Sequence, residues 1–360
     1  MCLQPYSIPN PNYGSKSPLA FLKDTTSQMI NVPCGHCPEC LHRKQMDIVQ
    51  RVLMESLNNE FFFCTLTYQN KFLKDVTTST GYTFQYADCR DLQLMFKRIR
   101  KLPNVLPFKY FAVIENGGKK LRPHFHFLLS VPKSFLPTYN DCKNYEQFLW
   151  HLFLDNWKTN ESNSTKHPIY EPNLIYKTLW KHGIFYRNYD LSFVDSYYHK
   201  EGISNVAFYT IKYMLKPNPK IQHRQQALRL NLDEVEYTNV WNLIKPKKMV
   251  SHGFGWLDEN GKVYPSIVEH LRKGILTTPS DSLFPMFFSP YNGFSSPLCD
   301  YYKSKGNVFT MKDAIEFSMR QDSVSEKDLR RKSLDSFTQF DNLVKSVDSH
   351  ETDIICDFFD

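Results

Sequence analysis

Apolar positions recur with a helical period over residues 41–58. Leu41, Met46, Val49, Val52, Leu53 and Leu57 share one side, and the spacing predicts an amphipathic helix. Phe61-Phe-Phe-Cys-Thr-Leu-Thr-Tyr68 is aromatic and β-branched, as a buried strand requires. Leu92, Met95, Phe96 and Ile99 then mark one face of a helix over 91–101, ended before Pro103. Residues 109–114 and 123–131 read as strands joined by the turn-rich Glu115-Asn-Gly-Gly-Lys-Lys120, so an antiparallel hairpin is expected. Helical patterns follow at 145–157 and at 202–216, the latter stopped by Pro217, with a polar loop at 158–166 and a strand within 182–194. Residues 1 to about 30 read as an irregular arm. Beyond about 220 the pattern weakens, leaving short amphipathic pieces at 311–320 and 335–347. Strands and helices alternating around a hairpin predict an α+β fold: a central antiparallel sheet with flanking helices. The expected divisions are an N-terminal arm and helix at 1–55, the main domain at 56–220 and a C-terminal accessory region at 221–360.

Within the hairpin, Pro123-His-Phe-His126 carries the most specific chemistry. On a strand alternate side chains share a face. Phe125, Phe127 and Leu129 are therefore expected in the core, with His124 and His126 side by side on the opposite face. The plain reading of that pair is two polar residues facing solvent. Glu115 changes the picture, because the hairpin can return it to His124. One carboxylate and two imidazoles suit Mn²⁺ or Mg²⁺ acting on a phosphate, with imidazole favouring Mn²⁺; Zn²⁺ is a further candidate.

Tyr209-Thr-Ile-Lys-Tyr213-Met-Leu-Lys216 sits on the expected 202–216 helix. Tyr209, Tyr213 and Lys216 fall on one stripe, with Lys212 at its edge. Taken alone they are amphipathic core tyrosines and solvated lysines. Beside a metal-held phosphate a tyrosine can instead act as a nucleophile and form a phosphotyrosine. Only roughly 0.1% of an unperturbed tyrosine is ionised at neutral pH, so such a site must stabilise the developing charge. Lys216 is placed to stabilise the phenolate or the leaving oxygen.

Nine cysteines, three of them clustered, fit a reducing compartment and a metal site better than a disulfide framework. Cys34, Cys37 and Cys40 have the spacing to fill three corners of a zinc tetrahedron. Cys2 is the candidate fourth ligand, with His36 and His42 as rivals, and an iron–sulfur cluster is the alternative. The net charge of +7 suits a nucleic-acid partner without requiring one. Arg43, Lys44 and Arg51, and the basic residues of Phe96-Lys-Arg-Ile-Arg-Lys101, are candidate phosphate contacts; Tyr68 is a candidate for stacking on unpaired bases. No apolar stretch approaches 18 residues and no secretory leader is visible, so neither a membrane span nor secretion is expected.

In order along the chain, these motifs resemble the HUH endonucleases, and most of all the rolling-circle replication initiators of the Microviridae, of gokushovirus type. The resemblance rests on Phe63-Cys-Thr-Leu-Thr-Tyr68, Ile114-Glu-Asn-Gly117, Pro123-His-Phe-His126 and Tyr209-x-x-Lys-Tyr213-x-x-Lys216. Cys34-Gly-His-Cys37-Pro-Glu-Cys40 and Val250-Ser-His-Gly-Phe-Gly-Trp256 flank them, and together they cover about residues 1–260. It implies an RRM-like palm, a metal held by Glu115, His124 and His126, and paired nucleophiles at Tyr209 and Tyr213 supported by Lys216. Paired tyrosines allow successive cleavages, one holding the parental 5′ end while the other cuts the regenerated origin. The implied activity is nicking and rejoining of viral DNA, single-stranded and replicative-form, in the cytoplasm of a bacterial host. No G-x-x-x-x-G-K-[ST] loop is present, so a host helicase and polymerase are the expected partners. The rivals are an HUH relaxase or transposase, and a zinc-containing nucleic-acid-binding protein without nuclease activity.

Overall fold

A hairpin organises the fold. Strand β6 (Lys109–Asn116) runs into β7 (Pro123–Pro132), and the two pair antiparallel with Glu115 opposite His124 and Val113 opposite His126. The structure is a computed structural model. It describes residues 5–14, 27–34, 38–117, 121–154, 157–159, 170–172, 180, 182–183, 191–194, 219–291, 293–325 and 328. The expected helix over 202–216 and the piece at 335–347 lie outside the described residues, as does most of the 1–30 arm.

The chain divides into two compact units. One contains the described residues up to 57 and those from 263 onward; the other contains those from 58 to 262. The first unit opens with the ribbon β1 (Tyr6–Pro9) and β2 (Met29–Val32), antiparallel with Tyr6 opposite Val32. An irregular arm was the expectation there. The strands are only four residues long and largely exposed, so they leave no apolar alternation to read. Helix α1 (Pro38–Glu55) starts three residues earlier than the periodicity indicates, because proline suits the first helical position.

In the second unit, β3 (Asn59–Thr67), the small ribbon β4 (Lys74–Thr77) and β5 (Thr83–Tyr86), and helix α2 (Cys89–Ile99) precede the hairpin. Helix α3 (Tyr139–Leu154), the short pair β8 (Trp157–Thr159) and β9 (Tyr170–Pro172), and strand β10 (Leu191–Val194) follow it. Then come α4 (Pro219–Asn231), α5 (Glu234–Ile244) and β11 (Lys248–Val250). The central sheet has the order β10-β3-β7-β6-β11, and every neighbouring pair is antiparallel. This is the expected α+β architecture.

Sheet register sorts the side chains. Phe62, Cys64 and Leu66 of β3, Ala112 and Ile114 of β6, and Phe125, Phe127 and Leu129 of β7 share one face and are all buried. Helix α2 covers that face with Leu92, Met95, Phe96 and Ile99, and α3 with Cys142, Tyr145 and Leu149. Phe96 meets Phe127 edge-on at 5.3 Å and Tyr145 meets Phe62 at 5.4 Å, arrangements that favour aromatic pairs. Asp88 caps α2 by accepting from Arg90 N.

The weak pattern beyond 220 hides further helices. Leu228 of α4 packs with Val240 and Ile244 of α5 and against Val76, Phe84 and Tyr86 of the β4–β5 ribbon. Ser79 at the tip of that ribbon donates through both N and Oγ to the two oxygens of Glu236, each at 2.6 Å. So few apolar residues per helix leave a faint period, and the burial is supplied by a segment some 150 residues away.

In the first unit α6 (Pro265–Leu276), β12 (Met286–Phe288) and β13 (Ser295–Pro297) precede α7 (Asp300–Lys303) and α8 (Met311–Asp322). Helix α8 matches the amphipathic piece expected at 311–320, and Thr310 and Asp313 form its capping box. The fully buried Gln50 of α1 donates to Ser296 Oγ and Pro297 O and accepts from Cys299 N, so one amide joins α1 to the chain around β13.

Candidate metal centre

Glu115 ends β6 and the two histidines begin β7, so antiparallel pairing brings all three to one end of the sheet, on the face away from α2 and α3. Glu115 Oε2 lies 3.1 Å from His124 Nε2 and 2.8 Å from His126 Nε2. The three ligand atoms fall within 4.8 Å of one another, a grouping of three such side chains among the described residues. The imidazole planes stand nearly perpendicular, with centroids 4.7 Å apart.

His126 is not a solvent-facing residue, as the plain reading of the pair would have it. It is 3% exposed. Strand β7 is the middle strand of five, so both its faces are covered. Thr65 on β3 stands opposite and its Oγ1 lies 3.0 Å from His126 Nδ1, while Phe63 stacks on the ring at 5.6 Å. His124 Nδ1 lies 3.2 Å from the Arg122 carbonyl. A carbonyl only accepts, so this nitrogen carries the proton and Nε2 of the neutral ring turns its lone pair toward the Glu115 oxygen. Three electron-rich atoms facing one another need a cation among them, either a proton or a metal ion. Burial alone would raise the Glu115 carboxyl, but hydrogen bonds from His124 and His126 hold it down at about 2. Burial also lowers His126 from the ordinary histidine value.

Arg122 anchors the approach to the hairpin by donating from its guanidinium to Tyr68 O and Asn70 Oδ1. The sequence alone singles out neither Arg122 nor Thr65 as part of the site. The threonine lies within a correctly expected strand, but only the cross-strand register reveals its partner. If Thr65 holds the His126 ring, Thr65→Val is expected to weaken Mn²⁺ binding by roughly 10- to 100-fold, and Thr65→Ser to retain it. Titration calorimetry of the full chain checks this.

The other expected site residues are distributed as follows. Tyr209, Tyr213, Lys216, Cys2, His36 and Cys37 lie outside the described residues. Cys34 and Cys40 come together, their sulfurs 3.9 Å apart. Arg51 packs its guanidinium over the Tyr301 ring at 4.2 Å, and Arg43 lies 4.0 Å from Asp300. Tyr68 is buried at 2% exposure and donates its hydroxyl to Asp91, so it does not stack on bases; it is core. The Val250–Trp256 motif is a turn in which Gly253 and Gly255 take φ of 73° and 75°. It carries Phe254 to 6.4 Å from both Phe61 and Phe111, on the histidine face of the sheet.

A five-stranded antiparallel sheet with helices on one face and a carboxylate–imidazole cluster at its end defines an α+β domain with a site suited to a divalent ion. Residues 61–218 match the family model of the replication-associated protein ORF2, a stretch that takes in the cluster and both tyrosines. The match supports a part in initiating replication, and with it the binding of DNA. No curated protein and no solved structure matches the chain. No helix among the described residues is long and apolar enough to cross a membrane.

Proposed function

We propose that the chain is a metal-dependent DNA-nicking and strand-joining enzyme that starts rolling-circle replication of a small single-stranded DNA phage genome. The carrying observation is Glu115 Oε2 set 3.1 and 2.8 Å from two imidazole nitrogens whose far sides are turned toward Arg122 O and Thr65 Oγ1. The donor set fits Mn²⁺ or Mg²⁺, with the two imidazoles favouring Mn²⁺. Bound there, the ion would polarise the scissile phosphate and stabilise its developing charge.

The chain's residues then divide the remaining work. The hydroxyl oxygen of Tyr209 or Tyr213 attacks phosphorus, the bond from phosphorus to the 3′ oxygen breaks, and that oxygen leaves with a proton. A phosphodiester is replaced by a 5′-phosphotyrosine ester. A phosphate ester is exchanged for a phosphate ester, so the reverse attack by a 3′ hydroxyl rejoins the strand without ATP. Lys216 stabilises the negative charge passing between the oxygens. The roles of the tyrosines and of Lys216 rest on their place in the sequence motif. Unwinding and synthesis would fall to the host's helicase and polymerase, in the bacterial cytoplasm.

Incubation of the full chain with single-stranded origin DNA and Mn²⁺ should give a covalent adduct on a denaturing gel. The double variant Tyr209→Phe, Tyr213→Phe should give none, and EDTA should abolish the reaction. Adduct formed by the double variant would overturn the tyrosine mechanism; adduct formed at full rate in EDTA would overturn the metal. DNA binding with no cleavage at all would leave a non-catalytic binding protein.

A further inference from the structure

We propose that Cys34, Cys37 and Cys40 hold a structural zinc ion at the start of α1, apart from the Glu115 cluster and independent of whether the chain cuts DNA. The Cys34 and Cys40 sulfurs are 3.9 Å apart and no disulfide joins them. A disulfide would bring them to about 2.05 Å. Two thiolates at about 2.3 Å from one tetrahedral zinc stand about 3.8 Å apart. The observed separation is therefore that of two ligands sharing one ion. In an iron–sulfur cluster of several irons, thiolates on different irons are held farther apart than this.

The local chain supports the same conclusion. Cys40 is buried in the first turn of α1, where unpaired backbone N–H groups favour a thiolate. Cys34 packs on it from the segment after β2. Cys37 immediately precedes the helix and is three residues from each partner in sequence. His42 lies on α1 two residues beyond Cys40, about 200° round the helix, and so turns away from that sulfur. It is not one of the ligands, and the fourth comes from Cys2 or His36. An ion here ties the residues following β2 to the first turn of α1, fixing where that helix begins.

The test uses the full-length chain, purified from zinc-supplemented medium and dialysed against metal-free buffer. Elemental analysis should give a zinc-to-chain ratio near unity. The ratio should persist in His126→Ala and Cys89→Ser and be lost in Cys34→Ser and Cys40→Ser. A variant that fails to fold is bypassed with the parent chain. Its cobalt-substituted form should show sulfur-to-cobalt charge-transfer absorption and tetrahedral ligand-field bands, unchanged by His126→Ala. Alkylation of Cys34 and Cys40, mapped by mass spectrometry, should speed up by roughly tenfold or more once a chelator removes the ion. Absence of zinc from the parent chain, an iron–sulfur chromophore, or zinc retained in Cys40→Ser but lost in His126→Ala would each overturn the proposal.

Discussion

Replacing His126 with alanine is expected to reduce DNA nicking by on the order of 10³-fold or more at saturating Mn²⁺. The size follows from what a bound divalent ion contributes to a phosphoryl transfer, several kcal/mol, with each 1.36 kcal/mol equal to tenfold in rate. His126 is nearly fully buried and forms the closer of the two contacts to Glu115, at 2.8 Å. Its neighbours on that side are Thr65, Phe63 and His124, and neither the threonine nor the phenylalanine can take over a strong ligand's place. Glu115→Gln separates charge from shape. The amide keeps the volume and can still meet an imidazole, but it removes the anion that offsets the ion's charge. It too should bind Mn²⁺ weakly and cut slowly. The double variant should be scarcely worse than either single one, because the three side chains act as a unit. Cleavage of an origin oligonucleotide, with DNA binding followed in parallel, measures this. Cleavage by His126→Ala within tenfold of the parent would remove the cluster from the mechanism.

The hairpin is the most legible part of the molecule. Phe111, Val113, Phe125 and Phe127 alternate within two β-prone runs, and Glu-Asn-Gly-Gly between them can only turn. From this the sides follow: Phe125, Phe127 and Leu129 inward to α2 and α3, the histidines opposite. What alternation does not show is that the opposite side is also covered. A strand reads the same at the edge of a sheet and in its middle, so the burial of His126 comes from β3 and β6 and not from its own neighbours. The same limit hides Thr65. Its bond to His126 joins residues 61 apart, and nothing local to Phe61–Tyr68 picks it from Thr67. Tyr68 misleads for the converse reason. An aromatic ring at a strand's end can serve a ligand or the core, and only the buried Asp91 on α2 shows which. Helices α4 and α5 are faint because their few apolar residues answer a distant ribbon. For Tyr209 and Tyr213 the sequence motif remains the whole of the argument.

One glycine connects fold and site in a way the sequence does not advertise, and Gly183→Ala is expected to cost about 3 kcal/mol of stability. A Cβ built on Gly183 would stand 1.4 Å from the carbonyl oxygen of Thr67 and 2.6 Å from Trp180 Nε1. The obstruction is backbone, which cannot rotate aside, so overpacking at the upper end of the usual 1–3 kcal/mol range is the appropriate scale. Two hydrogen bonds fix the approach: Trp180 Nε1 donates to Thr67 O at 3.1 Å, and Gln69 N donates to His182 O at 2.8 Å. A methyl group there must either break them or push the end of β3 away. Thr67 is the residue paired with His124, so the displacement reaches the cluster as well as the core. Gly306→Ala is the control, since nothing lies within 4 Å of its added Cβ. Urea unfolding should show a lower midpoint for Gly183→Ala alone, at unchanged slope. Mn²⁺ affinity should fall with it, whereas a purely distant packing fault would lower the midpoint and leave the metal untouched. A loss of this size is a large share of the 5–15 kcal/mol that holds a typical domain together. Midpoints that coincide for the two variants would mean that residues 180–183 do not press on Thr67, and that the end of β3 is held by its strand partners alone.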